Sequence, residues 1–266
     1  MQLVMINRLG LSGRRRYDPA ALAWVDSVFG NGGIVTGGEL RVIDRFVRTD
    51  RDWGIFDLTD DYLFMSLGNV IAAKTTLKRR VLIQTLNNLN FETYRGFVTD
   101  GMSQCLNSMY APFQGVALTA TSQRFGVFNL SAGVGAHGGR GASGNRHYLS
   151  LGAGPPATAG MYLGNGITLT ANVPNTDGFV VGSFDSVSRA VYRNGALVQS
   201  GAGGVGIKTV AYLYIGAILV GTDPASFVAG TFPFATFGGA ISAAQEAAQF
   251  SNLTQAFAAL AALGGA

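Results

Sequence analysis

The chain has 266 residues, 48% of them hydrophobic and only 13% charged, with a formal net charge of +4. That length fits one large all-β domain, or a small domain joined to a sandwich. A single cysteine, Cys105, excludes an intrachain disulfide framework, and no apolar run approaches the ~18 residues of a membrane span. Residues 1–12 hold too short an apolar run, broken by Asn7 and Arg8, for a secretory signal. The expected place is the cytoplasm, or something larger that is put together there. Charge is unevenly distributed: residues 1–100 hold 13 Lys/Arg and 11 Asp/Glu, residues 101–266 only 6 and 4. A free monomer surface carries far more, so the second region either shows a surface of Gly, Ser, Thr, Asn and Ala or is covered by neighbours; the reading taken is assembly, as in a homo-oligomer.

In chain order, residues 1–17 read as an arm. Leu3, Val4 and Ile6 are apolar, Gly10 and Gly13 break a helix, and Arg14, Arg15 and Arg16 follow. These six side chains make a candidate partner-binding arm. Residues 18–90 read as a helical N-terminal region, and residues 91–266 as a β-sandwich with a C-terminal helix. Asp18 is placed to cap a helix with Pro19 at its first position and Gly30 at its end. Ala21, Val25, Val28 and Phe29 share its face, with Trp24 beside them. Thr36 and Glu39 form a capping box for a second helix with the stripe Leu40, Ile43, Val47 and Phe46 on its flank. The segment 53–78 is ambiguous. Leu58–Asp61 reads as the cap of a helix through Tyr62–Leu67, and Ala72–Lys78 suits helix or strand. The basic clusters at residues 14–16 and 78–80 lack aromatic interleaving, so nucleic acid is not expected, and a solvated or partner-facing patch is.

From Phe91 onward, short β-like runs alternate with glycine-rich turns. They are Gly115–Thr121, Phe125–Gly133, His147–Gly152, Gly160–Leu163, Ile167–Asn172, Phe179–Phe184, Ser188–Arg193, Ala196–Ser200 and Ala211–Ile215. That rhythm predicts a sandwich or barrel. Asn194-Gly195 is the strongest hairpin signal, since both residues tolerate positive φ. Before it, Ala190 and Tyr192 share one face and Arg189, Val191 and Arg193 the other, the period of a half-solvated antiparallel sheet. The chain ends in a helix capped by Ser242 and Gln245, with the stripe Leu253, Phe257, Leu260, and terminated by Gly264-Gly265.

Catalytic patterns are weak. Gly201–Gly206 matches G-x-G-x-x-G but lies between two strands, where no helix follows to hold a phosphate. His137 and His147 are the only histidines, and Zn²⁺ sites want three or four ligands. No G-x-S-x-G elbow singles out a serine. Beyond residue 101 the acids are Asp177, Asp185, Asp223 and Glu246, and Asp177 and Asp185 read as turn residues. A calcium site at Asn175, Thr176 and Asp177 is a minor reading. Arg140 and Asn145 in the glycine-rich segment 138–145, with Asn175, Tyr192 and Asn194, are candidate glycan contacts. The competing reading makes the tyrosines packing residues.

The motifs Ala190-Val191-Tyr192-Arg193-Asn194-Gly195, Leu213-Tyr214-Ile215-Gly216-Ala217 and Phe237–Gln245, with the ending Leu263-Gly264-Gly265-Ala266, resemble a family of phage and prophage virion-associated proteins. Asp61-Tyr62-Leu63-Phe64, the Ala72–Leu77 run and Thr93–Gly101 look alike too, so the resemblance touches residues 17–266. In that family the C-terminal part is similar to the concanavalin A-like lectin and laminin-G sandwich. The resemblance implies a mainly β fold: a jelly-roll or concanavalin A-like antiparallel sandwich, with N-terminal helices and a C-terminal helix packed on it. It implies a structural component of a bacteriophage particle, such as a head decoration, neck, tail or fibre protein. The expected partners are other virion proteins and further copies of the chain, a trimer among the options. The alternative is a glycan-binding host-recognition module; a polysaccharide-degrading enzyme ranks below both. No catalytic residue carries over, and no cofactor or metal is expected.

Overall fold

A computed structural model describes residues 17–131, 135–140, 147–152, 157–163, 167–173, 177–206, 208–220 and 223–265. The arm residues Leu3, Val4, Ile6, Arg14, Arg15 and Arg16 lie outside the described residues, as do Asn145 and Asn175.

Helix α1 spans Pro19–Gly30, and Asp18 Oδ1 accepts the Ala20 N–H at 2.8 Å. Ala21, Val25 and Val28 are buried as the periodicity predicts. Trp24 is buried as well, its Nε1 donating to the Thr75 carbonyl at 3.0 Å. Trp24→Phe should therefore cost about 1–2 kcal/mol in urea unfolding, chiefly by leaving that carbonyl unpartnered. Helix α2 spans Gly37–Asp52 behind a reciprocal Thr36–Glu39 capping box. The second oxygen of Glu39 accepts the Gly68 N–H at 2.7 Å, which ties the helix start to the following loop. Two short helices follow, α3 at Ile55–Leu58 and α4 at Val70–Lys74.

The expected helix through Tyr62–Leu67 is instead a strand, Thr59–Phe64. It pairs antiparallel with Phe234–Gly238, which places Tyr62 and Phe64 on one face. There Phe46 of α2 meets both rings edge-on, at 5.5 and 4.7 Å between centroids. The strand joins a six-stranded inner sheet, in the order Thr59–Phe64, Phe234–Gly238, Ser122–Asn129, Gly178–Asp185, Ser188–Arg193, Ala196–Ala202. The helical region 18–90 thus contributes an edge strand to the sandwich.

The outer sheet runs Ile167–Val173, Ala157–Leu163, His147–Gly152, Gly135–Arg140, Tyr214–Ile215, Cys105–Asn107, Gln84–Leu86, with Ile218–Val220 and Asp223–Ala225 beside it. A small third sheet joins Ala229–Phe232, Gly96–Asp100 and Asn90–Glu92. Among the described residues every strand pairing is antiparallel except Ile218–Val220 on Gly135–Arg140. Two expected strands differ. Gly115–Thr121 is a loop after a 3-10 turn at Pro112–Gln114, and the run at Ala211–Ile215 keeps only Tyr214–Ile215. After Gly96–Asp100, the Asp100 carboxylate accepts the N–H groups of Met102, Ser103 and Gln104. These bonds hold its pKa at about 2, below the ordinary 3.8. Its contribution to stability is therefore present above pH ~4 and lost as pH falls toward 2. Carboxyl ¹³C NMR titration should find this residue still ionised at pH 3.

Three layers result. Gly178–Asp185 packs on Ala157–Leu163 and His147–Gly152 of the outer sheet, with Leu149, Met161, Val180 and Val191 buried. On its other face the inner sheet carries α2 and the C-terminal helix α5, Ala243–Gly264. Ser242 and Gln245 form the expected capping box, and Leu253 and Leu260 are fully buried. Phe128 meets Phe257 of α5 edge-on at 5.1 Å. This is the mainly β antiparallel sandwich, with N-terminal helices and a C-terminal helix packed on it, that the sequence implied. The Asn194-Gly195 turn forms with φ 51° and 77°. A Cβ on Gly195 would lie 2.9 Å from Ala247 Cα, so α5 crosses directly over the turn. The half-solvated reading of this meander is corrected here. Residues 190–193 are buried on both faces, one under α5 and one under the outer sheet.

Candidate functional site

Asp60 and Asp61 open the first strand at a register irregularity that sends their side chains to different places. Asp61 is fully buried; its carboxylate accepts the N–H groups of Tyr62 and Lys78 and Arg79 Nε at 2.9, 3.0 and 3.0 Å. Burial pushes its carboxyl up, against the pull of Arg79. Arg79 also donates to the Met109 carbonyl at 2.6 Å. Lys78 Nζ donates to the carbonyls of Phe56 and Thr59, and burial lowers its pKa. The cluster at 78–80 is thus not the solvated patch expected. Two of its three cations hold the chain together, and Arg80 is exposed at φ 60°.

Asp60 faces the loop after Tyr110. Its Oδ1 accepts Val116 and Ala117 N–H at 2.8 Å each, and its Oδ2 accepts Leu118 N–H at 2.9 Å and the Tyr110 hydroxyl at 2.8 Å. Burial first, and Asp60 second, raise the Tyr110 pKa, so the phenol keeps its proton and donates. Gly115 is required by close approach: a Cβ there would lie 2.4 Å from the Tyr110 hydroxyl and 2.5 Å from Asp60 Oδ2. A second loop lies alongside. Phe113 N–H donates to Thr209 O, Lys208 Nζ to Gly115 O and Gly206 N–H to Ala120 O.

This framework holds four large apolar side chains out in water. Phe113 is 53% exposed, Val116 90%, Val205 63% and Val210 72%. Single exposed apolar residues are ordinary; these four stand on two loops that the bonds just given join. None of the four stood out in the sequence, because their proximity depends on the long-range bonds just described.

A second polar centre lies beneath α5. Arg124, 1% exposed, pairs with both oxygens of Glu246 at 2.6 and 2.7 Å and donates to Gln249 Oε1 at 2.5 Å. Gln249 and Asn252 donate to Asp50 of α2, as does the Tyr62 hydroxyl. Burial raises the Asp50 pKa against these three bonds. This network joins α2, α5 and the inner sheet. Above it a groove of about 320 Å³ separates the two helices, with Phe46 and Ala256 lining it and Arg41 and Arg45 on its rim.

Of the expected glycan residues, only Tyr192 and Asn194 have side chains among the described residues, and both serve the fold. Tyr192 is 7% exposed, on the sheet face covered by α5. Asn194 Oδ1 accepts the Phe179 N–H at 2.9 Å and holds the hairpin. Arg140 ends the strand Gly135–Arg140, but its side chain lies outside the described part. His137 and His147 sit on paired strands, with side chains likewise outside it. The glycine-rich segment at 203–206 is a loop, its Gly203 N–H donating to Val187 O. Asp185 Oδ1 accepts Val187 and Ser188 N–H, as a turn residue does. Cys105 is the buried small side chain expected, its thiol pushed up to about 12 by burial. Among the described residues no group of three His, Cys, Asp or Glu side chains gathers, and no helix is long and apolar enough to cross a membrane.

No protein-family model and no curated protein matches the chain. Among solved structures it is similar to a mutant Trypanosoma rangeli sialidase displaying trans-sialidase activity, at 12% identity and TM-score 0.48 over 83% of this chain and 40% of that one. It is similar to the receptor binding domain of botulinum neurotoxin C/D mosaic serotype, at 12% identity and TM-score 0.47 over 73% and 51%. It is also similar to the CBM40 of Ruminococcus gnavus IT-sialidase bound to alpha2,3 sialyllactose, at 11% identity and TM-score 0.38 over 54% and 92%. The chain spans about two fifths of the length of the sialidase it matches. These are likenesses of fold alone.

Proposed function

We propose that this chain is a docking and assembly component of a larger particle, and, on its motif resemblance, a structural protein of a bacteriophage virion assembled in the host cytoplasm. The observation that carries the reading is the braced apolar face of Phe113, Val116, Val205 and Val210. A half-buried carboxylate, a buried phenol and a glycine are all spent on holding Val116 in solvent. That arrangement suits a preformed surface for a virion partner and offers no reacting group. The acids Asp60, Asp61, Asp185 and Glu246 are all engaged in structural bonds, so the chain is read as a non-enzyme.

The test is cosedimentation of the tagged full-length chain with particles from a producing culture. Val116→Asp with Val210→Asp should move it from the particle fraction to the top of the gradient while circular dichroism stays unchanged. A chain that never travels with particles, or a double variant that travels as before, sinks the reading. Binding to host envelope polysaccharide on a glycan array, lost with Arg140→Ala, would favour the glycan-recognition alternative instead.

A further inference from the structure

Both sheets end on the same side of the sandwich. The last strand of the inner sheet is Ala196–Ala202, that of the outer sheet is Ile167–Val173, and the two pack together. Among the described residues, neither has a hydrogen-bonded strand on its outer edge. They read Ala-Leu-Val-Gln-Ser-Gly-Ala and Ile-Thr-Leu-Thr-Ala-Asn-Val, seven residues each, with no charge and no proline. Leu197 is 52% exposed on the first.

Open strand edges are templates for pairing, and soluble proteins blunt them with charge, proline, brevity or cover. This chain does so at its other sheet ends. Thr59–Phe64 carries Asp60 and Asp61 at its irregular start and is covered by Leu77, whose N–H donates to Tyr62 O at 2.9 Å. Gln84–Leu86 is only three residues long. On the side of Ala196–Ala202 and Ile167–Val173, among the described residues, the strands themselves carry no charge and no proline and are seven residues long, and one register shift opposite Val191/Tyr192 is the irregularity there. Ile167–Val173 keeps unbroken register with its neighbour along all seven residues.

We propose that this double edge is the self-association surface of the protein. A second copy, related by a two-fold axis perpendicular to the sheets, adds its Ala196–Ala202 and Ile167–Val173 antiparallel to the same strands of the first. Both sheets then continue from copy to copy. The charge pattern selects a second copy as the occupant. In an isologous contact every residue meets its own kind, and like charges opposite one another would destabilise it. Fourteen uncharged edge residues, from the two strands of seven, meet that condition. A stretch of sheet chosen for an acidic or basic partner would carry the opposite charge. The inference stands apart from the loop face, which lies on different residues.

The test is sedimentation equilibrium of the full-length chain from about 1 to 200 µM, where a mass-action dimer declares itself. Twice the chain mass is expected at the upper end, unchanged between about 50 and 500 mM salt because no charge lies in the contact. Gln199→Lys with Thr170→Lys, both at exposed positions, should weaken association by about tenfold or more, through like charges facing one another. Backbone hydrogen exchange of the unsubstituted chain is the second measurement: amides within 167–173 and 196–202 should slow as concentration rises. A monomer at every concentration, association that survives the lysines, or edge amides indifferent to concentration would each overturn the proposal. So would association lost in the full-length Leu3→Lys/Ile6→Lys variant but kept by the edge lysines, which would assign it to the arm.

Discussion

Replacing Arg124 by Met should lower the unfolding free energy by about 3–5 kcal/mol, read from urea unfolding at pH 7. The guanidinium is 1% exposed and Glu246 is fully buried, so the substitution leaves a carboxylate in the interior with no countercharge. It also strips a donor from Gln249, whose amide passes the network on to Asp50. The loss measures a broken pair, since an intact buried pair contributes little net stability once both ions have been desolvated. Arg124 Nη1 is buried without a hydrogen-bond partner, which weakens the pair further. Adding Glu246→Leu to Arg124→Met should therefore recover most of the loss, and a double-mutant cycle should show strong coupling. The pH dependence has a definite sign. Burial already raises the Asp50 carboxyl above its ordinary value, and Arg124 opposes that rise. Stability tied to a raised carboxyl is present at low pH and lost as pH rises through the folded pKa. Removing Arg124 extends that loss, so the single variant should be more destabilised at pH 8 than at pH 5. Equal destabilisation at both would show that Asp50 does not feel Arg124.

Features of this fold that depend on neighbours in sequence were legible in it. Asp18, Thr36 with Glu39, and Ser242 with Gln245 act within three residues of themselves, and all three caps form as read. Asn194-Gly195 is equally local. The misreadings share a non-local cause. Thr59–Phe64 resembles a capped helix because Asp60 and Asp61 suit a first turn. It is a strand because Phe234–Gly238, some 170 residues later, offers it a ladder. Gly115–Thr121 has strand composition, yet Asp60 takes up the amides of residues 116–118. The alternation in Ser188–Arg193 correctly separated two faces. It could not show that the polar-looking face, with Arg189 and Arg193, lies toward a second sheet, because period two distinguishes sides and not what covers them. The exposed apolar loop residues drew no notice in the sequence for the same reason. A valine at 116 and another at 210 are unremarkable until Phe113 and Thr209 are bonded.

Asp60→Ala should test whether that face is held or merely happens to be exposed. The side chain accepts four hydrogen bonds, three from consecutive amides and one from Tyr110. Bonds to a charged acceptor contribute about 1.5–3 kcal/mol each. The three amides can turn to water if the loop opens, which limits the net loss to about 3 kcal/mol in urea unfolding. Asp60→Asn keeps one acceptor oxygen and presents an amide to donors on the other side, so its loss should be intermediate. The sharper readout is local. Hydrogen exchange at Val116, Ala117 and Leu118 should quicken by more than global unfolding accounts for, while amides of α5 keep their protection. Tyr110 stays stacked on Phe237, 4.8 Å between centroids, and anchors the near end of the loop. Leu118 in the core and the Gly206 N–H on Ala120 O hold the far end, so the loosening centres on residues 115–117. If the docking role holds, Asp60→Ala should weaken particle association at temperatures where the variant remains fully folded, because the apolar side chains must then be ordered at the moment of binding. Association equal to that of the unsubstituted chain, with residues 116–118 exchanging freely, would mean that the presentation of Val116 serves no contact.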